Sequence, residues 1–578
     1  MLHSANGKRL IVLGCSATKI AVAGFLPAIA RYDGPMYRVL RAFLREYRWP
    51  ESLSIGVLSA KYGMIGGVSQ IESYDQRMTL DRAEEIRRQV TETLVNWSKI
   101  HSQVEFVMGQ EYVRCIDPNR IANSYARHQI VEGPIGIKLN RLHSMLRSID
   151  RTSRPVRREL PHPSKPLYFL PDWDDFIDAD YDYKRDSFSN QKRSERNEEH
   201  IITLMRPKRL CDGVLVSLAQ HLGSKGLLRR MDLSDFNSLS PRSVREYFTL
   251  DPDQWAFGDC GAFSYVSEPV PTVSVEQAVA LYELYDFDLG ASVDHIPMEQ
   301  VSTSDGKQTL TEYERRKRIR LTRDNADRFI RLHKRRHATF IPVGVIQGLS
   351  PKSYANQVGL YLDMGYRHVA LGGLVPRPDI EILGIVKAVY SELKRHSCKP
   401  WVHLLGIFRP SLQTLFKEVG IASFDSATYF RKAWLRSDQN YLGTDGRWYA
   451  AIRVPPLRDP RTRLRLQKEG RPENELAKLE GDALRKLRLY SNRKLALEKA
   501  LSAVLEYDRH LSRAEMIEDN LVAGYRRTLE ARPWEKCRCP MCRKLGIEIM
   551  IFRGKNRNKS RGAHNTLQLF EKVNGSSG

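Results

Sequence analysis

From residue 167 onward the chain alternates short apolar runs with long helical patterns, and the number of those runs limits the folds open to it. Eight strand candidates are legible, at 168–171, 214–218, 255–258, 287–293, 340–346, 368–371, 401–405 and 422–424. Most lead into a polar or glycine-containing turn. Eight strand–helix repeats over about 260 residues have the size of a (β/α)8 TIM barrel, which carries functional residues at the C-terminal ends of its strands. A doubly wound open sheet is the main rival, and neither a G-x-G-x-x-G nor a Walker loop supports it.

The rest of the 578 residues divides around that α/β barrel. Residues 1–150 hold strand patterns at 9–14, 54–58 and 104–108 and helical ones at 36–47 and 80–97, the texture of a small α/β domain. A proline-rich basic linker follows at 151–166, and the barrel is assigned 167–457. Residues 458–530 form a basic helical insert, 531–570 a metal-binding subdomain and 571–578 a tail. In the insert, 458–471 is strongly basic, and the leucine stripe of 473–513 implies helix packing with a solvated charged face. Phosphate contact is a second use for that face. The charged run 192–200 reads as a solvated loop.

Lysine and arginine exceed aspartate and glutamate by 92 − 68 = 24, an excess that favours a polyanionic partner such as nucleic acid. Cys15, Cys115, Cys211, Cys260 and Cys398 are scattered, as reduced thiols are, rather than paired as in a disulfide framework. No signal peptide is legible, and the apolar stretch 20–30 contains Pro27 and is too short to cross a bilayer, so a cytoplasmic protein without a membrane partner is expected.

The other three cysteines cluster as Cys537-Arg538-Cys539-Pro540-Met541-Cys542, and His564 follows. Three thiolates and an imidazole match the tetrahedral Cys3His set of a structural zinc ion. Such an ion would close a small basic flap whose own core is thin. With four protein ligands the zinc is expected to be structural.

Several strand ends carry residues suited to chemistry. Asp259-Cys260-Gly261 follows the third strand, Asp294-His295 the fourth, Gln347-Gly348 the fifth, Gly372-Gly373 the sixth and Asp425-Ser426 the eighth. Two carboxylates could divide into nucleophile and acid/base, as in glycosyl transfer with retention. A third, with an amide and a glycine N–H, suits the edge of a purine. Each aspartate could instead be a helix N-cap.

With these residues in place, the stretch from about 167 to 570 resembles the tRNA-guanine transglycosylases and their DNA-acting relatives. The resemblance rests on Asp259-Cys-Gly-Ala-Phe263, Asp294, Gly344-Val-Ile-Gln-Gly348, Ala370-Leu-Gly-Gly-Leu374, His403-Leu-Leu-Gly406, Phe424-Asp425 and the Cys3His set. It implies an irregular TIM barrel that exchanges a guanine in a polynucleotide for a 7-deazaguanine base, without ATP or a redox cofactor. It also implies Asp425 as the nucleophile at C1′, Asp259 as the proton-handling carboxylate, and Asp294, Gln347, Gly372 and Gly373 as purine-binding residues.

Three departures point to the DpdA-like branch, which installs 7-cyano-7-deazaguanine in DNA. Cys260, Ala262 and Ser264 replace Ser, Gly and Gln of the tRNA enzymes. The Pro-Thr-Arg run after the nucleophile is absent. Asp425 and Cys537 lie 112 positions apart (537 − 425), a gap the basic insert fills. DNA is therefore the expected partner, with proteins that open the duplex as further partners. A tRNA substrate, or a non-catalytic nucleic-acid-binding subunit, stays open as an alternative. The N-terminal unit is similar to the YaaA group on Cys15-Ser16 with Lys19, Leu58-Ser-Ala-Lys-Tyr-Gly63 and Tyr74-Asp75. There Cys15 is expected to be a small buried residue after a strand, with a reactive thiol as the alternative.

Overall fold

A computed structural model describes residues 8–122, 126–150, 160, 164–173, 175–219, 239–304, 306–396, 399–435, 438–457, 463, 464, 466, 468, 469, 473–512 and 519–575. Cys398, most of the linker 151–166 and most of the basic stretch 458–471 lie outside the described residues.

The N-terminal region folds around five strands: β1 (Arg9–Gly14), β2 (Leu53–Ser59), β3 (Gly63–Gly66), β4 (Gln103–Val107) and β5 (Arg127–Ile130). Their order is β3-β2-β1-β4-β5. β1 lies between β2 and β4 and is parallel to both, while β3 returns antiparallel beside β2. All seven residues of β2 are buried, as expected of an interior strand paired on both edges and covered on both faces. The helices Pro35–Glu46 and Leu80–Ser98 fall where their 3.6-residue apolar pattern puts them, the second capped by Thr79.

Eight further parallel strands close into a barrel: β6 (Leu167–Pro171), β7 (Gly213–Ser217), β8 (Trp255–Asp259), β9 (Leu289–Ala291), β10 (Ile341–Ile346), β11 (His368–Leu371), β12 (Trp401–Leu404) and β13 (Ser423–Asp425). They follow one another around the barrel in chain order, β13 closing on β6 with Ser423 opposite Leu167. Each corresponds to one of the eight sequence candidates, and the fold is a TIM barrel. The helix Pro351–Met364 shows why the chain turns where it does: Ser350 caps it, Pro351 opens it and Gly365 in the left-handed region ends it.

By compactness the chain divides into two units. One comprises Met1–His162, Val216–Tyr247 and Trp255–His403; the other comprises Pro163–Leu215, Phe248–Gln254 and Leu404–Gly578. In the second unit, helices Glu473–Ser491 and Leu497–Ser512 pack together, and Leu476, Leu484, Leu487 and Leu501 are buried. The leucine stripe is therefore a packing face, interrupted between the two helices rather than continuous through 473–513. Part of the run 192–200 departs from the solvated-loop expectation. Glu198–His200 forms a strand antiparallel to Phe176–Asp178, and the buried His200 ring lies 3.0 Å from the buried Asp175 carboxylate.

Candidate active site and metal centre

Within the first unit, three strand ends assemble one buried polar chain. Asp294, beyond the end of β9, is 2% exposed. The Cys260 thiol, just past β8, donates to its Oδ1 at 2.8 Å. The Gln347 amide, just past β10, donates through Nε2 to its Oδ2 at 2.6 Å. The Tyr265 hydroxyl lies 3.0 Å from the Cys260 sulfur and 2.9 Å from the Asp294 carbonyl oxygen. Burial pushes the Asp294 carboxyl above its ordinary value, against the two hydrogen bonds that favour the anion. Burial likewise pushes the Cys260 thiol well up, with the Asp294 charge adding to it, so the sulfur stays protonated and donates.

Asp259 ends β8 half-buried, with its Oδ2 accepting from the Gly261 N–H at 2.9 Å. Donor atoms of Asp259, Cys260 and Asp294 all lie within 4.8 Å of one another. This turn requires glycine. Gly261 has φ +84°, and a Cβ there would stand 2.2 Å from the Ser217 hydroxyl.

The β11 turn closes on the same amide. A Cβ on Gly372 would lie 2.3 Å from Gln347 Nε2, and one on Gly373 would lie 2.6 Å from Oε1. The Tyr354 hydroxyl donates to the Gly372 carbonyl at 2.7 Å, and Arg377 donates to the Gly373 and Gly348 carbonyls at 3.2 and 2.9 Å. Gln347 Oε1 is buried with no hydrogen-bond partner among the described residues. Buried acceptors are seldom left in that state, and a ligand edge would satisfy this one. Asp294, Gln347, Gly372 and Gly373 thus form one cluster, with Asp259 at its margin.

Asp425, in the second unit, ends β13 at 5% exposure, and its Oδ1 accepts from the Gly406 N–H at 2.8 Å. Ser426 is held beside it: its carbonyl accepts from the Tyr168 hydroxyl at 3.0 Å, and its Oγ accepts from the Thr428 N–H at 3.2 Å.

The same unit brings Cys537, Cys539, Cys542 and His564 together, all buried. Cys539 caps the short helix Pro540–Leu545, its sulfur accepting from the Cys542 N–H at 3.3 Å, while His564 projects from the helix Gly554–Val573. The three sulfurs lie 3.5, 3.6 and 3.5 Å from His564 Nδ1. A tetrahedral ion with the usual Zn–S and Zn–N lengths would set that separation near 3.5 Å, so the set fits a tetrahedral metal ion. The other ring nitrogen, Nε2, lies 2.7 Å from the Leu442 carbonyl, which leaves Nδ1 as the ligand atom. Tyr441 stacks on the imidazole with centroids 4.0 Å apart.

The chain is 37% identical to a DNA-guanine transglycosylase of Salmonella montevideo over 413 residues, which cover 71% of this chain and 97% of that protein. It belongs to the DNA-guanine transglycosylases. Their place is the DpdA-like part of the tRNA-guanine transglycosylase superfamily, and the chain is accordingly a glycosyl-transferring enzyme. No protein-family model matches it. For a transglycosylase, the structure adds residues that the sequence did not single out. Tyr265, Tyr354 and Arg377 hold the Asp294–Gln347 cluster and the β11 turn, and only their strand-end neighbours hinted at them. Cys260, noted as a departure from the tRNA enzymes, is the thiol partner of Asp294.

Proposed function

We propose that the enzyme replaces guanine in DNA with 7-cyano-7-deazaguanine by two displacements at C1′. In the first, an Asp425 oxygen attacks C1′ of the target deoxyguanosine. The C1′–N9 bond breaks, its electron pair leaves with guanine, and Asp259 supplies the proton. In the second, Asp259 takes a proton from the incoming base, whose N9 attacks C1′ and releases Asp425. Each glycosidic bond broken is replaced by one of similar energy, so no nucleotide hydrolysis is needed, and two inversions retain the configuration.

The observation that carries the reading is the buried Asp294–Gln347 pair with its unpartnered Oε1. Its carboxylate can accept from the N1–H and 2-amino group of a guanine-like base, and the amide and Gly373 complete an edge of purine size. The resemblance to the transglycosylases supports assigning Asp425 and Asp259 to a single reaction. The name of the Salmonella relative supports DNA as the polymer. A net charge of +24 suits a polyanion. A stacked base must be flipped out at about a few kcal/mol, which partner proteins that open the duplex would supply. The Cys3His site is assigned to zinc, as a structural ion for the C-terminal subdomain. Among the described residues no helix is long and apolar enough to cross a membrane. We place the enzyme in the cytoplasm because its proposed substrate is DNA.

Labelled guanine or 7-cyano-7-deazaguanine is expected to enter DNA and not tRNA, and Asp425→Ala to abolish entry while the fold survives. Labelling of tRNA alone, under every partner condition, would overturn the choice of polymer. Normal exchange by Asp425→Ala would move the nucleophile elsewhere.

A further inference from the structure

The sequence motifs of the N-terminal region are not used by the barrel chemistry, yet the fold gathers them at one place. β1 is the central strand of its sheet; the chain leaves it for β2 on one side and, after β3, returns to β4 on the other. The carboxyl ends of parallel strands at such a reversal form the crevice in which open α/β sheets bind ligands. Cys15, Ser16 and Lys19 follow β1, Lys61 and Tyr62 follow β2, and Tyr112 follows β4. Cys15 is half-buried rather than buried, with its sulfur 3.0 Å from the Tyr112 hydroxyl. Ser59, the last residue of β2, lies 2.8 Å from the Tyr74 hydroxyl, which in turn lies 2.6 Å from that of Tyr32.

Two ammonium groups stand over the tyrosines of this cluster. Lys19 Nζ stands 4.4 Å from the Tyr74 ring centroid, and Lys61 Nζ stands 5.8 Å from the same ring and 5.1 Å from that of Tyr62. Neither ammonium pairs with a carboxylate among the described residues. Asp33 is bound to Arg38 and Arg41. Burial pushes the phenols of Tyr32 and Tyr74 up, so they stay neutral and bring no negative charge. The helix Pro35–Glu46 starts beside the β1 loop with no side-chain cap and no acid in its first turn. Gly34 sits so close there that a Cβ would be 2.4 Å from the Ser16 hydroxyl. Two like charges converging on one aromatic ring, at the edge where such a sheet takes ligands, call for an anion.

We infer that this edge is a second ligand site, separate from the barrel, at which Lys19 and Lys61 together bind the phosphate of a nucleotide, either free or within a DNA strand. The inference does not rest on the barrel chemistry. Calorimetric titration of the full-length protein with inorganic phosphate, thymidine 5′-monophosphate and oligothymidylate tests it, since none of these carries a purine for the Asp294–Gln347 cluster. Lys19→Met/Lys61→Met is expected to weaken binding tenfold or more, and Lys19→Arg/Lys61→Arg to preserve it. Guanine binding and the melting temperature should be unchanged in both. Loss confined to the two small molecules identifies a free nucleotide. Loss confined to the oligonucleotide, with a salt slope shallower by about 0.7 per phosphate contact removed, identifies a DNA strand. Absence of wild-type binding to all three, or equal binding by the methionine variant, would overturn the inference.

Discussion

Gly372→Ala isolates the contribution of the Gln347–Asp294 bond without touching either residue. Gly372 is not in the left-handed region, so alanine fits its backbone. Its new Cβ would lie 2.3 Å from Gln347 Nε2 and 3.0 Å from Cδ, where ordinary contact begins near 3.4 Å. The amide must retreat by about 1 Å (3.4 − 2.3) to relieve the clash. That motion breaks the 2.6 Å bond to Asp294. A hydrogen bond to a charged group contributes about 1.5–3 kcal/mol. At about 1.4 kcal/mol per tenfold, binding of guanine should weaken roughly 10- to 150-fold. Base-exchange kinetics would record this as a raised KM for the free base. The decisive comparison is a double-mutant cycle. If the clash acts through the amide, Gly372→Ala should lose little more in a Gln347→Ala background. Equal losses in both backgrounds would refute the argument, as would an unchanged KM in the single variant. Gly373→Ala adds backbone strain to its clash, because Gly373 has φ +68°, and should be the more damaging of the two.

Three further outcomes follow from the two buried clusters. Zinc analysis of the folded enzyme should find about one ion per chain, as a closed four-ligand site implies. Cys539→Ser should expose the stretch 532–575 to proteolysis before the remainder of the chain, and intact resistance in a zinc-free sample would argue against a structural ion. Asp294→Asn should weaken guanine binding and flatten the pH dependence of stability. The folded carboxyl titrates above its unfolded value because burial disfavours the anion. The stability it contributes is therefore complete below the ordinary carboxylate range and is lost as pH rises through the folded value. Relative to wild type, the asparagine variant should gain melting temperature from pH 4 to pH 7. Parallel melting profiles would remove Asp294 as a buried titrating group.

How much was legible depended on whether the signal lay along the chain or between its segments. Barrel strands are buried on both faces and read as unbroken apolar runs, so β10 and β11 stand within a residue of their sequence assignments. β3, with a glycine at each end, and β5, with Arg-His-Gln and a largely exposed pattern, lack such a run and were not anticipated. The strand Glu198–His200 was hidden for a different reason. Its polar residues mimic a loop until His200 meets its buried partners: Nδ1 accepts from the Ile202 N–H at 3.2 Å, and Nε2 faces Asp175. The Cys3His cluster was legible because three of its four residues occupy six consecutive positions, and its spacing carries most of the geometry. No such spacing links Cys260 to Asp294 or Asp294 to Gln347. Those bonds exist because β8, β9 and β10 are parallel neighbours, with Leu289 opposite both Phe257 and Ile341. That register brings residues 34 and 53 positions apart within hydrogen-bond reach. A sequence can therefore nominate each of these side chains at a strand end, but only the register shows that the thiol, carboxylate and amide act as one group. Changes at Cys260 should accordingly be felt at Asp294 rather than at the Asp259 turn in which it sits.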